Sequence, residues 1–471
     1  MLINKGRTDM GKILLYITLL LQASLLNAQN DLVFYHLGDA TPQSMQMNAA
    51  FFPASKFYVS LPGLSGIHVA ANNGFSFSDL FVKVPGQDSV EIDGDRFLKK
   101  LKSRDFLNVT SNISIFQFGI STKVGNFSVF VNERISGGLT YPKKTLSFLW
   151  NGNGNLIGET FAEDDVRVKF NYFREFGVGY AREFQLAGRP LKAGLRVKML
   201  QGLVNAESDK DFGFSISTQD DQFYLDLTTK NPEFRTAGIE ADKASYFINN
   251  GNKGIGFDLG AIYDLNENIK VSVAVNDLGT IKWKDEVKNY TVTNNSITFK
   301  GIDFEDADGF SEAIADTLKA KFNDETNTGA YSSGLSPRTF VGGSYTMDKN
   351  IFSATISNYF LAGNAQTAIG LGYTRIFGVI KLSGTISKMP QQLPSLSGGF
   401  ALDLGPFQMY MVMDNLLGYI DMTNAKYADF RMGINLLFGR GKENTDKKKQ
   451  PKIEIVPIEV ETEPAENPSD Q

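Results

Sequence analysis

Cysteine is absent from all 471 residues, which removes disulfides, thiol nucleophiles and a lipid-modified N-terminal Cys together. Histidine is nearly absent: only His36 and His68 occur. Hydrolases that work through a Ser–His pair and most His-based metal sites need more than this, so no enzymatic activity, no cofactor and no metal set is expected. After residue 26 no uncharged apolar run reaches the roughly 20 residues of a membrane-spanning helix. Positive charge is not in excess either. The net charge is −5 and no basic stripe occurs, so no nucleic-acid partner is expected.

What is present begins with Lys5, Arg7 and Lys12, an apolar run over 13–26, and Ala28 before Gln29. A basic region, a short apolar core and a small residue predict a secretory signal peptide over residues 1–28. From Gln29 to residue 65 there is little periodicity but much Pro, Met and Phe (Pro42, Met45, Met47, Phe51, Phe52, Pro53). Such apolar content is unusual for a disordered terminus, and the segment is read as a plug folding inside or beneath the main body of the chain.

From residue 66 to 438 the dominant pattern has period two. In the stretch 254–283, Ile255, Phe257, Leu259, Ala261 and Tyr263 alternate with Gly and Asp. After the turn at Asn266, Ile269, Val271, Val273 and Val275 alternate with polar or small residues. This is a hairpin with one apolar face, each arm about as long as a tilted membrane-spanning strand of roughly 9–11 residues. The same pattern recurs over 66–77, 112–124, 127–135, 172–184, 191–203, 338–347, 351–360, 366–376, 379–388, 396–404, 407–414 and 427–438. That makes about 14 strands, joined alternately by short turns and by longer segments such as 78–111, 136–171, 204–253 and 284–337. An even count with alternating loop lengths predicts a single antiparallel transmembrane β-barrel, all-β in class, in a Gram-negative outer membrane with outer-membrane lipid around it. Short turns and both termini are then expected on the periplasmic side.

The barrel predicts two sets of residues. Lys192, Arg196, Lys198, Asp258, Lys270, Asn276, Lys381, Asp403 and Gln408 fall on the polar parity and are expected to face the lumen, either as a salt-bridged interior or as a solute path. Inward Gly177, Gly179, Gly254, Gly256, Gly370 and Gly372 suggest that something bulky, the N-terminal segment, packs on the wall. Tyr180, Tyr263, Tyr345 and Tyr373 share a G-x-x-Y spacing just before short turns, and Phe438 ends the last strand; these are expected to form an interfacial aromatic girdle.

Outside the strands, Phe310, Ile314, Leu318 and Phe322 recur at i+4, which predicts a helix at about 303–322 in an extracellular loop. The acidic run Asp303, Glu305, Asp306, Asp308 ahead of it has the wrong register for a calcium loop and suits a helix N-terminus. Asn151-Gly-Asn-Gly lacks the Lys-Ser/Thr of a phosphate loop and is turn chemistry. His68 reads as a strand residue facing lumen or interface. Residues 439–471 are charged and Pro-bearing and are expected to be a disordered periplasmic tail, in which 452–456 offers a strand to a periplasmic protein partner.

F-D-L-G-A-x-Y at 257–263, N-D-L-G-x-I-x-W at 276–283, S-L-P-G-L-S-G at 60–66 and S-F-L-W-N-G-N-G at 147–154 resemble an uncharacterised family of outer-membrane barrels. That family is similar to the superfamily of the long-chain fatty-acid transporter FadL and the secretion-associated barrel PorV, 14-stranded barrels plugged by their N-terminal segments. Asn48-Ala-Ala-Phe-Phe-Pro53-Ala54 is a stretched counterpart of the superfamily's N-P-A. Two functions are therefore expected. One is passive transport of a small hydrophobic or amphipathic molecule through a plugged lumen. The other is a non-transporting scaffold or secretion-accessory barrel that docks partners through its loops and tail.

Overall fold

The computed structural model describes residues 31–152, 157–164, 166–208, 213–219, 224–230, 233–291, 296–299, 326–361, 364–388 and 394–439. The signal peptide, the helix and acidic run at 303–322, and residues 440–471 lie outside them.

Fourteen wall strands pair antiparallel with their sequence neighbours. They are β1 (in two pieces, Phe57–Ser60 and Gly66–Asn73), β2 (Arg104–Thr122), β3 (Gly125–Pro142), β4 (Arg167–Leu186), β5 (Arg189–Ser208), β6 (Lys253–Asp264) and β7 (Ile269–Trp283). The series continues with β8 (Arg338–Met347), β9 (Asn350–Leu361), β10 (Asn364–Phe377), β11 (Ile380–Lys388), β12 (Ser395–Leu404), β13 (Phe407–Asp414) and β14 (Tyr427–Phe438). β14 returns to β1, with Phe57 opposite Phe438 and Ile67 opposite Met432, so the wall is closed and no edge is bare.

The parity of burial is the reverse of a soluble sheet. On β10, Ile369, Leu371 and Tyr373 are 47, 67 and 42% exposed, while Gln366, Ala368 and Thr374 are at most 2% exposed. β6 and β7 do the same: Ile255, Leu259, Val271 and Val273 face out and Asp258, Ala274 and Asn276 face in. Apolar outside and polar inside is the arrangement a closed sheet adopts in lipid.

β1 begins inside the stretch read from sequence as plug. Phe57–Ser60 pairs with both β14 and β2. Pro62 has no N–H to give to the ladder and Gly63 takes a positive φ of 74°, so the ladder is interrupted over 61–65 before pairing resumes at Gly66. A four-residue piece cut off by Pro-Gly carries too little alternation to be seen in sequence. At the other end several strands outrun the membrane. β4 and β5 are 20 residues each, about twice the span of a bilayer, and a separate four-stranded sheet (Thr160–Asp164, Gly213–Thr218, Leu225–Lys230, Ser296–Phe299) lies in the long connections.

At the short-turn end Ala187 and Gly188 both have positive φ (51° and 74°), the conformation of a two-residue hairpin turn that follows strand twist. Tyr hydroxyls of this rim reach the turn of the preceding hairpin. Tyr180 donates to the Val124 carbonyl (2.7 Å), Tyr263 to the Leu186 carbonyl (3.3 Å) and Tyr373 to Asn350 Oδ1 (2.8 Å). Tyr345 is exposed opposite Ile269, and Phe438 stacks on Phe57 at 4.6 Å across the closing seam. Tyr180→Phe, which keeps the ring against Phe127 and removes only this bond, should lower stability to urea in detergent by about 1 kcal/mol.

The interior is filled by the chain itself. Residues 31–56 run through the lumen as one helical turn (Leu32–His36), two short 3-10 turns and irregular backbone, nearly all of it buried. Leu32, Val33, Phe34, Tyr35, Met47 and Phe51 form a core with inward Phe340 and Tyr410. Tyr35 stacks on Phe340 (4.9 Å) and Phe34 on Tyr410 (5.4 Å). A second cluster, including Phe173, Leu200, Ile281 and Trp283, fills the wall towards the long loops.

Candidate functional site

Segment 31–56 fills the lumen, and the wall groups that hold it there are the candidate site. Here they form a chain of buried charges across the lumen. Lys198 donates to Asp258 and Asp277 at 2.6 Å each and lies 3.8 Å from Glu175. Arg196 reaches Asp258 (2.9 Å), and Arg134 pairs with Asp277 (3.0 Å) and Glu175 (3.5 Å). Arg338 links this group to the plug, with Asp277 at 3.2 Å on one side and Asp31 at 3.0 Å on the other. Asp31 also accepts from Arg431 at 2.6 Å. Arg431 lies over the Phe34 ring (4.4 Å) and Arg196 over Phe130 (3.8 Å), so both guanidiniums use their faces as well as their edges.

Hydrogen bonds continue the seal around the wall. Asn276 Nδ2 donates to the Met47 carbonyl, Gln408 Nε2 to the Ala40 carbonyl and Gln117 Nε2 to the Pro42 carbonyl. His36 is bound between Thr355 and Thr385. Plug carbonyls that lack secondary-structure partners thus find wall side chains, as buried backbone groups must.

Of the residues singled out from parity, Arg196, Lys198, Asp258, Asn276 and Gln408 are buried in this network, and Asp403 accepts from Gln408. Lys192, Lys270 and Lys381 lie apart from it, partly exposed at the short-turn end, where Lys381 faces Asp39 (3.8 Å) and Lys270 faces Asp264 (3.5 Å). The inward glycines divide. A Cβ on Gly370 or Gly372 would meet the plug's Leu32 or His36, whereas Gly177, Gly179 and Gly254 are pressed by the wall's own Phe130, Ser128 and Ile281.

Asp31, Arg134, Glu175, Asp277, Arg338 and Arg431 were not among the residues expected. Parity alone would have found Glu175, Arg338 and Arg431, which share a face with residues that were expected. Asp277 is different. A β-bulge between Phe257 and Leu259 opposite it turns both Asn276 and Asp277 inward, with Asp277 at φ 61°.

Residues 50–414 match a single protein-family model, described as a family of unknown function. The chain belongs to the DUF5723 family. A comparison with curated proteins finds no match. Among solved structures, this DUF5723 barrel is similar to the Pseudomonas putida toluene transporter TodX (8% identity, 88% of this chain and 93% of that one, TM-score 0.35). It is similar to a TodX deltaS2S3 mutant monoaromatic hydrocarbon channel (8%, 88% and 96%, TM-score 0.41) and to a mutant porin of Rh. blastica (10%, 81% and 100%, TM-score 0.21). The DUF5723 chain is an outer-membrane β-barrel, as its own closed wall and apolar exterior require.

Two cavities open beside the plug of the DUF5723 barrel at the short-turn end. One, of about 420 Å³, is lined by Phe52, Pro53, Lys56, Arg182 and others. The second, of about 200 Å³, lies among Tyr35, Phe51, Ile262, Lys270 and Lys381, and the two share Asp39 and Lys192.

Proposed function

We propose that this barrel passes a small hydrophobic or amphipathic solute passively across the outer membrane, with residues 31–56 as the movable obstruction and the short-turn end in the periplasm. One observation carries the reading: the obstruction is part of the same chain and is held by hydrogen bonds and ion pairs as well as by an apolar core, beside a pair of adjoining cavities. Each cavity is lined by aromatic or aliphatic side chains together with Lys or Arg, a lining suited to a molecule with an apolar body and a polar end. The hydrogen bonds that wall side chains make to plug carbonyls can be exchanged one at a time for bonds to water or solute. The docking alternative rests on the loop helix and the tail, both outside the described residues.

Removal of residues 29–55 should raise uptake of a small apolar dye into liposomes severalfold over the intact barrel. Equal uptake by the two proteins, both shown to be folded by heat-modified migration, would remove the basis for the reading.

A further inference from the structure

Between β13 and β14 the chain leaves the wall outward. Asn415, at a φ of 59°, reverses its direction, and its side-chain nitrogen donates to the Tyr427 carbonyl at 2.6 Å to close the turn. The helical turn Leu416–Ile420 that follows has two faces. Leu416 and Tyr419, three residues apart, form the face towards the wall. A Cβ on Gly398 of β12 would stand 3.2 Å from Leu416 Cδ1, and Gly398 shares the parity of outward Leu396, so the turn rests against the outside of the barrel. The Tyr419 hydroxyl pins it there by donating to the Asp429 carbonyl of β14 at 2.9 Å.

Leu417 and Ile420 form the other face, and together with Met422 they are 58, 83 and 69% exposed. What covers them is decided by height along the wall. Ile386 of β11 and Leu396 of β12 are cross-strand partners on the outward face, two residues nearer the long loops than the pair Gly384 and Gly398. They are 61 and 42% exposed. The apolar band of the wall therefore continues past the level where Leu416 touches it, and the turn rests within the band. Its backbone suits that place: Gly418 N–H donates to the Asn415 carbonyl at 2.8 Å and Asp421 N–H to the Leu417 carbonyl at 3.1 Å. Its far end is polar. The Asp421 carboxylate accepts from Thr423 Oγ1 at 2.8 Å and from Asn424 Nδ2 at 2.7 Å. An apolar face ending in a polar cluster is the layout of a segment seated where acyl chains meet headgroups.

We propose that Leu417, Ile420 and Met422 insert among the acyl chains of the leaflet at the long-loop end, which makes the β13–β14 connection a lipid anchor. The chain has no Cys, so a single introduced Cys is labelled uniquely. The full-length barrel carrying Ile420→Cys is labelled with a small polarity-sensitive fluorophore and reconstituted in phosphatidylcholine vesicles, its folding checked by heat-modified migration. Leu371→Cys in the middle of β10 is the lipid reference and Asp88→Cys in an exposed loop is the water reference. Emission from position 420 should be blue-shifted towards that from 371. It should fall by about half or more when the lipid carries a nitroxide high on its acyl chain. Iodide on both sides of the membrane should quench it far less than it quenches the label at 88. Leu417→Cys should behave in the same way, and carries the test if Ile420→Cys does not fold. The proposal fails if iodide quenches these positions as strongly as 88, because the turn then stands in water. It fails equally if neither iodide nor the lipid nitroxide reaches them, since protein would then cover this face.

Discussion

Asp277→Ala is expected to cost about 3–5 kcal/mol of stability. Asp277 is the shared acceptor of three cations, Lys198 at 2.6 Å, Arg134 at 3.0 Å and Arg338 at 3.2 Å, and it is 2% exposed. Removing it leaves Lys198, itself fully buried, with Asp258 and a more distant Glu175, and leaves Arg134 and Arg338 each short of a partner. The penalty is the desolvation of charges left behind, not the loss of a favourable bond in water. Asp277 also sits at φ 61°, where Ala is strained, so Asp277→Asn is the needed companion: Asn accepts that conformation and nearly keeps the size. If charge dominates, Asn should lose almost as much as Ala, read as the urea midpoint of heat-modified migration. An Asn variant as stable as the native chain would show that the backbone, not the ion network, sets the loss. Because Arg338 also holds Asp31, both substitutions should additionally loosen the plug.

The same residue shows where sequence reasoning stops. The barrel was legible because lipid asks every outward residue to be apolar, so one rule, period two, runs from Gly66 to Phe438. The rule fails wherever the lipid does. Above the membrane, β4 already begins at Arg167, five residues before its alternation is visible at Tyr172. At Pro62-Gly63 the strand is cut into a piece too short to show a period. At Asp277 a bulge shifts the parity by one, so a residue in phase with outward Val273 and Val275 is the centre of the network. Asp31 had no local signal at all. Its meaning comes from Arg338 and Arg431, 307 and 400 positions away, and only the closed barrel brings them together. The lumen faces of Arg196, Lys198 and Asp258 follow from pattern; their partners follow from topology.

A Gly260→Val substitution should open the lumen while leaving the wall intact. Gly194 on β5 and Gly260 on β6 are cross-strand partners, flanked by Ala181 on β4 and Ala274 on β7 in the same row. This row of four small residues is a shelf, and the plug backbone at Asn48–Ala50 lies directly on it. A Cβ on Gly260 would stand 2.0 Å from Asn48 Oδ1 and 2.7 Å from the Ala49 nitrogen, and one on Gly194 would stand 2.1 Å from the Ala49 carbonyl oxygen. Neither position has the positive φ that would demand glycine, so the strand itself gains from a β-branched residue. The clash falls on the plug. Asn48 would lose its bond to the Val273 carbonyl, and the Asn276 bond to the Met47 carbonyl next to it would be strained. In planar bilayers Gly260→Val, and more so the Gly194→Val/Gly260→Val pair, should conduct ions where the unmodified barrel is closed, and the N-terminal segment should become open to protease. Ala274→Val, on the same row but one strand further from the Asn48–Ala50 backbone, should have the weaker effect. A Gly260→Val barrel that folds normally, stays non-conducting and keeps its N-terminal segment protected would mean that the plug yields sideways on this shelf without leaving it.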